Sequence, residues 1–466
     1  MGGLVLLAGT LLPLAGCGVF GGGAPVAGVR ALGKGFQGAV AADEPQAALI
    51  ARSVLAAGGN AADAATALGF ALTVTLPSRA GLGGGGACLV YQPKPSGPGG
   101  GVPQAVLFTL AAPPVLASAA DRPAAAPLMA RGLYLLHATY GSAPMAELIA
   151  PAERLARFGV PVSTALAADL AVVATPLFTD PPARAIFAAP SGAPLPAGAT
   201  LTQPDLAATL ADLRVNGVGD LYQGTLASRF AAAARAAGGG LATADLRAAL
   251  PRLAAPIVLA AGYDRVAFLP PPADGGLAAA GAFAALERDP RALAAAAARG
   301  LALAAAWRAH GGSPQALLGQ SLPPAALPAL PASTSFAVID RTGMAVGCAT
   351  TMDNLFGTGR VAAGTGILLA ASPASAPPPL LSAAIAWNPN VHGFRAVVAG
   401  SGQAGAPLAV AAGMAGALGS HLPMPTPVPD PGRANAITCW AFLPRNPGSC
   451  GWATDPRGAG LALGAD

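Results

Sequence analysis

Apolar positions recur at helical spacing in two blocks near the start of the chain, EPQAALIARSVLAA and AADAATALGFALTVTLP, separated by Gly58-Gly59-Asn60. A recurrence of three to four residues marks one buried helical face, and the Gly-Gly-Asn break ends one helix and opens the next, so the pair predicts a helical hairpin. The period then changes. Gly81-Leu82-Gly83-Gly84-Gly85-Gly86 leads into ACLVYQP, a strand of β-branched and aromatic residues, and VPQAVLFTL reads as its partner. Such a glycine run allows close backbone approach, whereas a phosphate cradle needs a following helix and a lysine, which this stretch lacks. From 127 to 250 amphipathic helices alternate with short loops, as in ALAADLAVVATPLF and TQPDLAATLADLRVNG, and from 286 to 310 the helical signal is almost all Ala, Leu and Arg. STSFAVIDRTGMAVGCATTM returns to strand, with two β-rich runs joined by the turn Asp340-Arg341-Thr342-Gly343.

Composition adjusts this picture in two ways. The 466 residues are enough for one large core or two moderate ones, and 62 Gly with 47 Pro require many turns. The 53% apolar content is mostly alanine, and only Lys34 and Lys94 accompany the arginines. A net charge of +5 arises from scattered arginines with no basic run and no interleaved aromatics, which argues against a nucleic-acid partner.

LVLLAGTLLPLAGC, residues 4–17, is too short to cross a bilayer core about 30 Å thick. It ends in Leu14-Ala15-Gly16-Cys17 and resembles the lipobox of bacterial lipoproteins. The resemblance implies a signal segment over 1–17, acylation of Cys17, and a Gly/Pro-rich tether over 18–38. It also implies export to the periplasmic face of the envelope, with membrane contact through the lipid alone; Gly18 after the cysteine fits outer-membrane sorting. Export permits disulfides. Cys439 and Cys450 flank the turn-rich FLPRNPGS and are candidates for a hairpin staple, whereas Cys88 and Cys348, in apolar strand-like runs, read as small buried hydrophobes. His137, His310, His392 and His421 lack metal-ligand spacing, so no metal site is expected.

PASTSFAVID, residues 331–340, places three small hydroxyl residues at the entry to a buried strand. On its own this is a polar strand start. Other stretches change its meaning: AGGNAADAATALGFALTVTLP with GLGGGGACLVY, PLPAGATLTQPDLAATLADLRVNGVGDLYQGTLASRF, GGGLATADLRAAL, PPPADGG at 270–276, STSFAVIDRTGMAV, NLFGTG at 354–359 and ATDPRGAG. In this order they resemble the gamma-glutamyltransferase (gamma-glutamyltranspeptidase) family over nearly the whole mature chain.

The resemblance implies an N-terminal-nucleophile hydrolase, with a four-layer αββα sandwich, that cuts itself before a threonine at the start of a central strand, a position held here by serine. The products would be a large-subunit-like region, 39–332, and a small-subunit-like region, 333–466, which stay together. A hydroxyl is a weak nucleophile, but a free α-amino group on the same residue, of pKa about 7.7–8.0, can take its proton. Ser333 falls on the nucleophile, with Ala332/Ser333 as the bond to be cut. Serine retains the hydroxyl and lacks only the methyl that would stiffen χ1. Thr351 falls on a threonine that assists processing, and Asp353 replaces an asparagine that holds the substrate's amino end. Ser382 is the survivor of two substrate-facing serines, and Gln403 and Ala404 lie in the oxyanion loop, Gly400 to Gly405, where the family keeps bare glycine.

Two departures bear on specificity. Thr109 stands where the family's arginine clamps the γ-glutamyl carboxylate, and LLAASPASAPPPLL replaces a stretch whose aspartate binds the α-amino group. A threonine hydroxyl does not substitute for a bidentate guanidinium. Three readings follow: an autoprocessed amidohydrolase or acyltransferase acting on a small acyl amide of γ-glutamyl or altered type; a catalytically degenerate member serving as an envelope lipoprotein; and an uncleaved structural lipoprotein. No cofactor is implied by any of them.

Overall fold

The computed structural model describes Met1 and residues 35–93, 101–113, 120–419, 425 and 427–465. Cys17 and most of the expected tether lie outside these residues. The tether's expected end is corrected: Phe36 is buried and stacks on Trp452 with ring centroids 6.4 Å apart, and Gly38 already pairs with Asp340 and Ala465.

The amino-terminal hairpin forms as α1 (Pro45–Ala56) and α2 (Ala61–Thr75). Asn60 begins the second helix with a reciprocal cap, since its Oδ1 accepts from Asp63 N at 2.9 Å and Asp63 Oδ2 accepts from Asn60 N at 3.0 Å. All residues of α2 are buried, which suits a helix that is apolar or small on every face apart from Asp63, whose carboxylate is engaged in the cap. It is wedged between α1, α3 (Met129–Tyr140) and the first sheet.

Two sheets form the centre. The strands are β1 (Gly38–Ala42), β2 (Gly85–Tyr91), β3 (Gln104–Phe108), β4 (Arg252–Ala254), β5 (Ile257–Ala261), β6 (Asp264–Phe268) and β7 (Ser333–Asp340). They continue as β8 (Ala345–Thr351), β9 (Ser382–Asn388), β10 (Gly393–Ser401), β11 (Arg433–Leu443), β12 (Cys450–Thr454) and β13 (Leu461–Ala465). The first sheet runs β13-β1-β7-β8-β2-β3-β4 and the second β12-β11-β10-β9-β6-β5. One apolar core lies between the sheets, built from Ala39, Leu89, Ile339, Ile385, Val397 and their neighbours. A second lies between the first sheet and α1, α2 and α3. A third lies between the second sheet and α4 (Gly275–Leu286), α5 (Leu293–His310) and α6 (Ala406–Gly419). The result is the αββα sandwich, and being covered on both faces is why β7 and β8 are buried throughout and rich in small residues.

The reading of Cys88 and Cys348 as separate buried thiols is corrected. The β2–β8 register sets them directly opposite each other with Cα atoms 4.1 Å apart, and they form a disulfide. Cys439 and Cys450, paired across β11 and β12, form a second.

Candidate active site

Strand register gathers one row of residues at a single end of the first sheet. Ser333 opens β7 and lies opposite Thr351, the last residue of β8; Thr351 in turn lies opposite Gly85, the first of β2. Gly86 pairs with Phe108, so Thr109 continues the row. At about 4.8 Å per strand, Thr109 stands roughly 14 Å from Ser333. The glycine run is required where the chain turns into this row: a Cβ on Gly84 would sit 2.5 Å from the Thr351 carbonyl, and one on Gly83 would run into Leu368 O.

Ser333 is 2% exposed. The Thr351 hydroxyl donates to the carbonyl of Ala332 at 2.9 Å, and Asp353 N donates to the same hydroxyl at 3.0 Å, fixing its orientation. The two residues after Ser333 are anchored by groups that sequence reasoning did not single out. Asp43 Oδ2 accepts from Thr334 Oγ1 at 3.1 Å and from Ser335 N at 2.9 Å. Asn435 Nδ2 reaches from the second sheet to Asp43 Oδ1 at 2.8 Å and Ser335 Oγ at 2.9 Å. Arg79, bound to Asp169 at 2.5 Å, also feels the Asp43 carboxylate; its burial alone would lower its pKa, but these two acids hold it above the ordinary value. A lone Asn in the mostly apolar ANAITC run of β11 was the readable signal for Asn435.

The second sheet supplies the opposite wall. Ser382 opens β9 opposite Gly400 and donates to Leu380 O at 3.0 Å, so its hydroxyl is engaged with backbone. Gly402 (φ 104°) and Gln403 (φ 54°) turn the chain into the short 3-10 turn Gln403–Gly405 that precedes α6. Leading N–H groups of a helix lack intrahelical acceptors, which suits this turn, containing Ala404, to an oxyanion. The Gln403 side chain points elsewhere, donating to Leu330 O at 2.9 Å.

A charged group adjoins the row. Asp353 is 2% exposed, sits in the left-handed region at φ 53°, and its Oδ2 has no hydrogen-bond partner among the described residues. Burial pushes its carboxyl up to about 7, against the opposing pull of Arg308. Arg308 in α5 grips the fully buried Asp274 through Nε at 2.5 Å and Nη2 at 3.0 Å, and Nη2 also donates to Pro378 O at 2.8 Å. Its Nη1 is buried without a partner among the described residues. Ala332, Ser333, Thr351, Asp353 and Gln403 are thus brought together by the fold, whereas Thr109 stands at the far end of the row.

A sequence profile described as Gamma-glutamyltranspeptidase matches residues 47–289, just over half the chain. A glutathione hydrolase proenzyme of Bacillus subtilis is 32% identical over 255 residues, 52% of this chain and 43% of the relative. A glutathione hydrolase proenzyme of Escherichia coli is 32% identical over 252 residues, again 52% and 43%. The matched stretch therefore spans less than half the length of these relatives. Among solved structures, a cephalosporin acylase from Bacillus halodurans superposes with a TM-score of 0.74 at 21% identity, covering 92% of this chain and 96% of that one, a likeness of fold. The gamma-glutamyltranspeptidase of Helicobacter pylori superposes with a TM-score of 0.51 at 25% identity over 60% of this chain and 83% of that one. Together with the sandwich and its strand row, the profile match identifies the chain as a divergent member of the gamma-glutamyltranspeptidase family.

Proposed function

We propose that the chain is a self-cleaving amidohydrolase or acyltransferase with Ser333 as its N-terminal nucleophile. The observation that carries this is the Thr351 hydroxyl donating to the Ala332 carbonyl at 2.9 Å, directly across the register from Ser333. That donor stabilises negative charge building on the carbonyl oxygen when Ser333 Oγ attacks the carbonyl carbon. The Ala332–Ser333 C–N bond breaks, the hydroxyl proton passes to the departing nitrogen, and an ester remains. Water hydrolyses the ester, leaving an Ala332 carboxylate and a free α-amine on Ser333.

In turnover this amine takes the proton from Oγ as the oxygen attacks a substrate amide, then gives it to the leaving amine. The acyl-enzyme ester is released by water or by an acceptor amine. Negative charge on the substrate carbonyl would be met by the Gln403–Gly405 turn and Thr351. Ser333→Ala, which lacks the attacking oxygen, is expected to remain one chain and to be inactive on amides, whereas Ser333→Thr keeps a hydroxyl and should still cut. Cleavage of the alanine variant at the same bond would refute the assignment.

The second reading, a family member that has lost turnover, is favoured by Thr109, a hydroxyl side chain where the family places the arginine that clamps a γ-glutamyl carboxylate. A cut chain inactive on every amide tested would support it. We also propose export and a lipid anchor at Cys17; Cys17→Ala should then move the protein out of the membrane fraction. No helix among the described residues is long and apolar enough to cross a membrane.

A further inference from the structure

Residues 321–332 carry no regular structure, yet their last three are held at three points. The Leu330 side chain is buried in a small apolar cluster with Ala278 of α4, Ala304 of α5 and Leu380. The Leu330 carbonyl accepts from Gln403 Nε2 at 2.9 Å, and the Ala332 carbonyl accepts from the Thr351 hydroxyl at 2.9 Å. Gln403 adopts its left-handed backbone at φ 54°, a conformation that non-glycine residues hold only when their surroundings fix it. Leu330-Pro331-Ala332 thus lies in the site as a docked peptide.

We infer that the processed site takes peptide amides as acyl donors, with a small residue at the attacked carbonyl and a branched aliphatic residue two positions before it. This rests on Ser333 as nucleophile and extends that reading to the acyl group. The ester formed during self-cleavage, the Ala332 carbonyl on Ser333 Oγ, carries the same Leu-Pro-Ala acyl group as the acyl-enzyme of a Leu-Pro-Ala amide. A site that hydrolyses the first is therefore built to hydrolyse the second. The amide C–N bond breaks, the leaving amine receives the Oγ proton through the Ser333 α-amine, and water splits the ester to the tripeptide carboxylate. The three anchoring contacts are two neutral hydrogen bonds and one apolar cluster, none of which needs a charged acyl end, consistent with Thr109 in place of arginine. The cleaved tail remains tethered and competes at an effective concentration in the mM range, so the donor must be supplied at similar levels.

The test uses the purified processed protein with acetyl-Leu-Pro-Ala-p-nitroanilide, its Glu-Pro-Ala counterpart and γ-glutamyl-p-nitroanilide, with the Ser333→Ala chain as blank. The expected result is release of p-nitroaniline from the Leu peptide with kcat/KM at least about tenfold above the Glu peptide, because a carboxylate is costly in the Ala278, Ala304 and Leu380 cluster. Equal rates for the two peptides, or cleavage of the γ-glutamyl compound alone, would overturn the inference while leaving Ser333 as nucleophile. An uncut chain, recognised by its intact mass, would overturn both readings together.

Discussion

The Thr351 hydroxyl and the Ala332 carbonyl are joined by a hydrogen bond of 2.9 Å that spans the bond preceding Ser333. Thr351→Val keeps the shape and removes the donor, so self-cleavage should slow by roughly 10²–10³, the usual cost of one oxyanion donor. Thr351→Ser should retain most of the rate. A time course of intact mass on freshly purified protein checks both, and equal rates for valine and threonine would remove this hydroxyl from the reaction.

The Cys88–Cys348 disulfide joins a strand before Ser333 to one after it. If the chain is cut at Ala332/Ser333, the two pieces remain covalently linked. Denaturing mass measurement without reductant should give the whole chain plus one water, and reductant should release two fragments. Two fragments without reductant would contradict the pairing.

Asp353 supplies a pH dependence. Its folded value of about 7 lies above that of an unfolded aspartate, so its stabilising contribution is fully present below about pH 4 and is lost as the pH rises through 7. Asparagine cannot ionise and tolerates the same left-handed backbone. In a Ser333→Ala background, which keeps one species, Asp353→Asn should therefore gain stability over the parent at pH 8.5, on the order of a few kcal/mol. The gap should close toward pH 4. Denaturant midpoints at several pH values measure it, and a difference independent of pH would count against the buried carboxylate.

Arg308 and Asp274 form a pair in which Asp274 is fully buried and the Arg308 side chain is 15% exposed. Arg308→Met strands that carboxylate and should cost about 3–5 kcal/mol, while adding Asp274→Leu should recover most of it. A double variant no more stable than the single one would mean that the pair acts independently.

Much of this was legible in the sequence, for reasons that differ by element. The helical hairpin, the β2–β3 pair and the β7–β8 hairpin follow from periodicity and local turn residues, whereas Ser333, by itself an ordinary polar strand start, was singled out only through the family resemblance. The close backbone approach expected of Gly81 to Gly86 is met in the contacts of Gly83 and Gly84 with the chain around Leu368 and Thr351. The Cys88–Cys348 bridge was hidden because it depends on the register of two strands 260 residues apart, which apolar runs do not reveal. Asp43 and Asn435, 392 residues apart, meet only once both sheets exist. Arg308 was one of two arginines in an Ala-rich helix, and its role depends on Asp274 at the cap of another helix.

The most direct test of the account is the intact mass and amino-terminal sequence of the small fragment from purified protein under reducing conditions. The account predicts a fragment that begins Ser333-Thr334-Ser335-Phe336. A folded chain that remains whole after prolonged incubation, or one cut at a different bond, would contradict it.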